Sequence, residues 1–345
     1  MTTTSTSRVR APGGARARLV VLAVALVILL SLTWLAVRVA LDGTSTAVVS
    51  AGRVGFTVVA LWLLSAHHAR SARRGAGAPA GASAPRAAGP LRPWQAAVLS
   101  VAGVSGYTAL STVAVRVSGT LLPSLIVSTG PLWVLALVCL RRRSGPGRIR
   151  TLGTLTAVAG GALFLLAGSQ GPGGASAAGT ASPVSTVSTV SALGVLLAVG
   201  AVLLMSVYTV AFAALTRGYR GPMAPVITPV YAWGLVPLAA WAVIDLLRGA
   251  RLTPSALAVL AALGLLVYLP LYLIQHRLLA EVGAHPVSLL GLAVSPLVAV
   301  ETAGLGLGAW PSLLQWLAVA VTLAGTAAVI GAPGPADHSP KEDAP

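Results

Sequence analysis

SLIVSTGPLWVLALVCL, Ser124 to Leu140, is an apolar run of helix length that carries a Gly130-Pro131 break near its middle and ends against Arg141, Arg142 and Arg143. Proline removes a backbone donor and frees the carbonyl one turn earlier, which membrane helices tolerate where a neighbour satisfies it. The run therefore reads as a broken membrane helix. The same order of small polar residue, proline and apolar stretch returns in SLLGLAVSPLVAVETAG, Ser288 to Gly304. Pro131 and Pro296 stand 165 residues apart, and so do Gly160 of TAVAGGALFL and Gly325 of VTLAGTAAVI. Gly119 and Ser124 map onto Gly283 and Ser288 at an offset of 164. An offset shared across an intervening loop points to a chain written twice, which is a transporter signature.

Composition sets the solvent. Of 345 residues, 56% are hydrophobic and 9% charged, a balance that soluble domains of this length do not reach. With Pro and Gly frequent inside the apolar runs, the chain reads as an all-α polytopic membrane protein. The formal charge of +16 is carried almost wholly by arginine. These arginines flank apolar segments and form no stripe on a polar domain, which argues for membrane topology and against a nucleic-acid partner. A single cysteine, Cys139, excludes an intrachain disulfide and a cysteine-based metal cluster.

Cutting the chain at charge and turn clusters gives apolar runs at 19–41, 46–66, 94–115, 121–140, 151–168, 191–215, 223–247, 255–279, 287–308 and 313–331, ten segments of about the length that crosses 30 Å of hydrocarbon. The basic stretch 1–18 precedes a run too long for a signal core, so the first segment is expected to stay as an uncleaved helix. With the N-terminus inside, the cytoplasmic side receives Arg8 to Arg18, Arg70, Arg73, Arg74, Arg86, Arg92, Arg141 to Arg150, Arg217, Arg220 and Arg277, whereas the other side receives Arg116, Arg248 and Arg251. The positive-inside rule then places both termini in the cytoplasm of a multi-pass inner-membrane protein. The expected organisation is a basic N-terminus (1–18), a first five-helix repeat (19–168) with a disordered cytoplasmic loop at 67–92, a linker (169–190), a second five-helix repeat (191–331) and a cytoplasmic tail (332–345). Five helices per half is an odd number, so the second repeat must run through the membrane in the opposite sense, an arrangement suited to alternating access.

At this point the residues resemble a known family. Arg53 in AGRVGFTVVALWLL, the stretch Tyr107 to Ser118, Ser124 to Leu140 with Pro131, and the glycine-rich Gly153 to Gly168 are together similar to one EamA repeat, and Ser191 to Gly331 to a second. The resemblance, to the drug/metabolite transporter superfamily, covers the chain apart from the termini and two long loops. It implies ten helices in two inverted five-helix repeats around a central path, exporting amino acids, metabolites or drug-like molecules. The acidic residue that this family usually carries after the fourth and ninth helices is replaced here by Arg141 and by Gly308-Ala309.

Glu301 is the acidic residue lying deep in an apolar run, and Arg53 is the matching base. A charge at mid-helix costs about 2.5–3.5 kcal/mol on insertion scales, so each is expected to face protein or water. Each lies about 10 Å below the same surface at 1.5 Å per residue. Two readings stand: a charged pair that binds substrate or takes a proton, or a static bridge or neutral acid locking two helices. Arg38 is placed to snorkel or to gate. Trp34, Tyr107, Tyr208, Tyr231, Trp233, Tyr268 and Tyr272 supply amphipathic rings and Gln275 an amide, divided between interface, packing and cavity wall. Ser128 beside Pro131, with Pro296 in the second half, marks two backbone breaks that suit either cavity walls or packing kinks. His276 and His285 are expected at the interface, and adjacent His67 and His68 in a solvated loop.

No catalytic constellation, metal-ligand spacing or phosphate-binding loop is present, so the sequence reads as neither an enzyme nor a cofactor protein. The expectation is a secondary transporter, an exporter of small organic solutes with the proton as candidate coupling ion through Glu301, working in the lipid bilayer, with a homodimer as candidate assembly. The other reading is a membrane scaffold or sensor component that keeps the fold without transport.

Overall fold

Helices account for almost every residue that the computed structural model describes, namely 13–41, 44–75, 91–118, 121–142, 145, 147–169, 192–306 and 309–331, and no strand occurs among them. In chain order they are α1 (Gly13–Leu41), α2 (Thr46–Gly75), α3 (Pro93–Ser100), α4 (Tyr107–Ser118), α5 (Leu121–Ser128), α6 (Gly130–Arg142), α7 (Arg148–Ser169), α8 (Ala192–Leu215), α9 (Ala224–Leu247), α10 (Pro254–Ala262), α11 (Leu269–Val282), α12 (Ala284–Leu290), α13 (Val294–Gly304) and α14 (Leu313–Gly331). Among the described residues, eight helical stretches are long and apolar enough to cross a membrane, and two shorter apolar helices, Ala17–Thr33 and Gly130–Arg141, accompany them.

The surface shows which solvent these helices are built for. Leu247 is 83% exposed, Leu266 72% and Trp62 62%, whereas Ser31, Thr57, Thr154, Thr216 and His276 are fully buried. Large side chains face outward all round the bundle and hydroxyls face in, a distribution that water would penalise and lipid favours. The chain is a polytopic helical protein of membrane type.

Local chemistry sets the helix ends. Thr253 accepts from Ala256 N at 3.1 Å ahead of Pro254 at the first helical position, and Ser312 and Gln315 bond each other's backbone at the start of α14. α11 and α12 meet with no loop because Gly283 adopts φ 87°, a left-handed conformation that glycine reaches without strain. α2 departs from expectation by running through to Gly75. The first part of the anticipated loop at 67–92 is therefore helical, His67 and His68 included, since this stretch offers Ala and Arg and no breaker before Gly75. Residues 76–90 of that loop, residues 170–190 of the expected linker at 169–190, the first 12 residues and the tail from 332 lie outside the described residues.

Both proline-bearing segments are broken. α5 stops at Ser128, where Thr129 Oγ1 donates back to Ile126 O at 2.6 Å and α6 restarts at Gly130. In the second half a 3-10 turn (Gly291–Ala293) separates α12 from α13, one turn before Pro296, where proline frees the carbonyl. Two π turns were not anticipated. Val101–Gly106 joins α3 to α4, and Leu263–Tyr268 joins α10 to α11. The two interrupted helices match: Pro93, Gly103 and Tyr107 of the first correspond to Pro254, Gly264 and Tyr268 of the second at a constant step of 161.

α7 and α14 pack at backbone contact. A Cβ on Gly160 would stand 2.7 Å from Thr322 N and 2.8 Å from Ala318 O, and one on Gly325 would stand 2.5 Å from Ala157 N and 2.6 Å from Gly153 O. Gly153 faces Val329 and Gly168 faces Gln315, so contacts descend α14 as they ascend α7 and the two helices run antiparallel. Small residues are what let helices approach this closely where no hydrophobic force drives them together. Elsewhere α2 packs along α9, α4 along α8, and α1 along α11 and α13. The main apolar core lies among α1, α2, α3, α8, α9 and α11.

Candidate functional site

The two π turns aim at one place. A π turn inserts a residue into the helical ladder and redirects the side chains that follow, and such turns are frequent at functional sites. Here they deliver Tyr107 and Tyr268 toward Arg53 of α2, which interacts with both and with Tyr272. Arg53 Nη1 donates to the Tyr268 hydroxyl, and the guanidinium carbon lies 5.0 Å from the centre of the Tyr268 ring. Gly264, inside the second π turn, lets α2 come close: its Cβ position is 2.6 Å from Phe56 Cβ. Thr57 shares its one hydroxyl proton between Arg53 O at 2.7 Å and Gly264 O at 3.0 Å, tying the two backbones together.

Arg53 Nε is sealed from solvent and has no hydrogen-bond partner. The side chain as a whole is half-buried. The ion pairs among the described residues are Arg18 with Glu281 at 3.6 Å and Arg277 with Glu281, and neither involves Arg53.

From Tyr268 a column of rings descends α11. Tyr268, Tyr272 and His276 follow at steps of four, which keeps them on one helix face. Tyr268 and Tyr272 have ring centres 5.3 Å apart, and Tyr231 of α9 packs on Tyr272 at 4.3 Å. His276, fully buried, meets Phe212 edge-on at 4.5 Å. Its Nδ1 lies 2.6 Å from Tyr272 O, an acceptor, so Nδ1 carries the proton and the neutral ring accepts at Nε2 from Tyr208 O–H. The result is a directed chain from Tyr208 through His276 to the Tyr272 carbonyl. His276 and His285 are thus not interfacial: both are buried with partners, His285 Nε2 lying 3.0 Å from Thr154 Oγ1.

A cavity of about 290 Å³ opens at the end of α11, lined by Leu64, His68, Met223, Leu273 and Arg277 among others. Arg53 and the tyrosines do not line it.

Glu301 stands apart. Ser31 Oγ of α1 donates to Oε1 at 2.7 Å, and Oε2 is buried with no partner. Ser31 also reaches Ile28 O at 2.8 Å, so one hydroxyl proton serves two acceptors. The anticipated Arg53–Glu301 pair does not form: the base is engaged by Tyr268 and the acid by Ser31, both neutral.

Of the residues singled out from the sequence, Arg53, Tyr107, Tyr208, Tyr231, Tyr268 and Tyr272 come together. Trp233 is 54% exposed on the lipid-type face and belongs to no cavity, because its position on α9 points away from the core that Tyr231 joins. Gln275 is half-buried on α11, Ser128 ends α5, Pro131 is buried at the start of α6, and Pro296 is half-buried in α13. Trp34 and Arg38 have side chains outside those described. Sequence reasoning put His276 at the interface and missed Phe212, Thr57 and Ser31; the four-residue spacing of Tyr268, Tyr272 and His276 was the available signal for the first.

Comparison of the sequence with protein-family models finds no match, and neither does comparison with curated proteins. Among solved structures 13 chains match. One, a crystal structure of a protein, superposes with a TM-score of 0.66 over 90% of this chain and 96% of its own length at 18% identity, a likeness that carries the fold alone.

Proposed function

We propose that the chain is a secondary transporter of small organic solutes, built as ten crossings in two inverted five-helix repeats with both termini in the cytoplasm of the inner membrane. The observation that carries this reading is the pair of half-buried, opposite and separately held charges, Arg53 and Glu301, in membrane-type helices, each with one buried polar atom that no protein group satisfies. Intramembrane charges are expensive and mark substrate or ion paths. Glu301 suits proton carriage: a protonated Oε1 donates to Ser31 Oγ, which then gives its own proton wholly to Ile28 O, so the site is satisfied in the acid form as well.

The repeat reading draws on reciprocity. Gly160 meets Thr322 and Ala318, while Gly325 meets Ala157 and Gly153. Advancing each residue of the first half by 165 exchanges these contacts, the pattern expected of a two-fold axis lying in the membrane plane. The 3.6 Å approach of Arg18 to Glu281 brings the start of α1 beside the end of α11, as the positive-inside assignment requires. In that frame the cavity beside Arg277 is the cytoplasmic mouth, and the aromatic column leads from it to Arg53.

The scaffold reading draws on one observation, that rings fill the interval between this mouth and Arg53. Reconstitution into proteoliposomes separates the two. Counterflow of labelled amino acids, monocarboxylates and neutral drug-like amines is expected for at least one class, accelerated by an imposed pH gradient in wild type and not in Glu301→Gln. A monodisperse protein that moves none of them leaves the scaffold.

A further inference from the structure

Arginine presents five N–H donors in a planar fork, and the edge formed by Nε and Nη2 matches the two oxygens of a carboxylate. In Arg53 the protein engages Nη1 through Tyr268, and Nε is enclosed without an acceptor. We propose that this free edge is the anion anchor of the site, and that the solute is a monocarboxylate with a planar, apolar body. For transport this rests on the reading above; for binding it stands alone.

The charge count selects a monoanion. Among the described side chains no second cation enters the cluster of Tyr107, Tyr208, Tyr231, Tyr268, Tyr272 and His276, and the single lysine of the chain, Lys341, lies in the tail. A phosphate dianion would leave one charge uncompensated in a low-dielectric site. A zwitterion would need an acid beside the fork, and the described acids are committed elsewhere: Glu281 to Arg277 and Glu301 to Ser31, with Asp245 at the end of α9. The walls select the body. Tyr231, Tyr268 and Tyr272 offer stacked π faces next to the cation, and such faces pack flat apolar groups with offset or edge geometry. Tyr268 holds Nη1 through its neutral hydroxyl, so it orients the fork without neutralising it.

Benzoate, benzamide and phenyl phosphate are the probes: one planar body with a monoanionic, neutral or dianionic head. Purified full-length protein in detergent is titrated with each by calorimetry, and benzoate is expected to bind about tenfold or more tighter than either of the others, the range of a hydrogen bond to a charged group. Arg53→Gln should abolish that preference. Arg53→Lys, which keeps the charge and loses the side-on fork, should retain only part of it. Asp42→Asn is run alongside, because Asp42 lies outside the described residues; if it raises benzoate affinity about tenfold or more, the fork is held by an internal carboxylate in the resting protein and the proposal of a free edge falls. Equal affinity for benzoate and benzamide in wild type overturns it even where the Arg53 variants do not fold. Benzoate bound through Arg53 but never moved in vesicles breaks the transporter reading and leaves the anchor. Flux of neutral solutes that is indifferent to Arg53→Gln, without benzoate binding, breaks the anchor and leaves the transporter.

Discussion

Replacing Gly160 or Gly325 by alanine tests the helix crossing that the repeat reading depends on. The new methyl at Gly325 would lie 2.5 Å from Ala157 N and 2.6 Å from Gly153 O, and at Gly160 2.7 Å from Thr322 N and 2.8 Å from Ala318 O. Apart from Thr322 Oγ1, 2.5 Å from the Gly160 Cβ position, these obstacles are backbone, so α7 and α14 must part by about 1 Å to reach ordinary contact distance. Overpacking against backbone, which cannot turn aside, falls in the upper part of the usual range, about 2–3 kcal/mol, offset by about 1 kcal/mol of helix propensity gained over glycine. Each single variant should therefore lose about 1–2 kcal/mol. The double variant should lose little more than the worse single one, because one parting relieves both clashes, a coupling of about 1 kcal/mol. Gly291→Ala is the control: at φ −59° with no atom within 4 Å of its Cβ position, it should be neutral or slightly stabilising. Reversible unfolding in mixed detergent–SDS micelles, read by tryptophan fluorescence, measures all four. Single variants as stable as wild type, or a strictly additive double variant, would refute the crossing.

Tyr208→Phe keeps the ring against Phe212 and His276 but leaves His276 Nε2 without a donor, and should cost about 1–3 kcal/mol in the same unfolding assay; unchanged stability would mean that the hydroxyl chain is not there. Glu301→Gln keeps an acceptor for Ser31 and removes no charge partner, so stability should stay within about 0.5 kcal/mol of wild type while pH-driven flux disappears; wild-type flux in this variant removes Glu301 from coupling. Gly283→Ala forces an L-residue into the left-handed region at the α11–α12 junction and should cost about 1–2 kcal/mol, with no steric clash to blame; a neutral result would show that this junction can relax.

The membrane class was legible because it is written in bulk composition, and the helix boundaries because arginines and glycines punctuate apolar runs. The break at Gly130-Pro131 was legible for the same reason: proline acts on its own backbone. The π turns were not, since nothing in VAGVSG or LGLLVY distinguishes them from ordinary apolar helix; they are set by what packs against them, with Gly103 under the Tyr208 ring and Gly264 against Phe56. The step between the matching halves is 161 here and 165 at the prolines, so a search at one offset passes over Tyr107 and Tyr268. Pairing Arg53 with Glu301 by depth along their helices failed because depth says nothing about azimuth. Arg53 turns to the Tyr268 face of the bundle, and Glu301 to Ser31 on α1.

That failure carries information. A salt bridge between Arg53 and Glu301 would make both charges structural, each compensated by the other and worth keeping for the fold alone. Held apart, each is met by one neutral hydroxyl, and a hydrogen bond to a charged group returns about 1.5–3 kcal/mol against an insertion cost of about 2.5–3.5 kcal/mol. The cation–π contact of Arg53 with Tyr268 narrows its deficit, whereas Glu301 Oε2 has nothing to narrow it. Neither charge therefore stabilises the resting fold by a useful margin, and an apolar residue of similar size would serve packing equally well. Under the proposed function, the sites are completed by partners that arrive and leave: a proton at Glu301 and an anion at Arg53. A static scaffold does not require two such incomplete sites on different helices, and this is what favours the transport proposal over it.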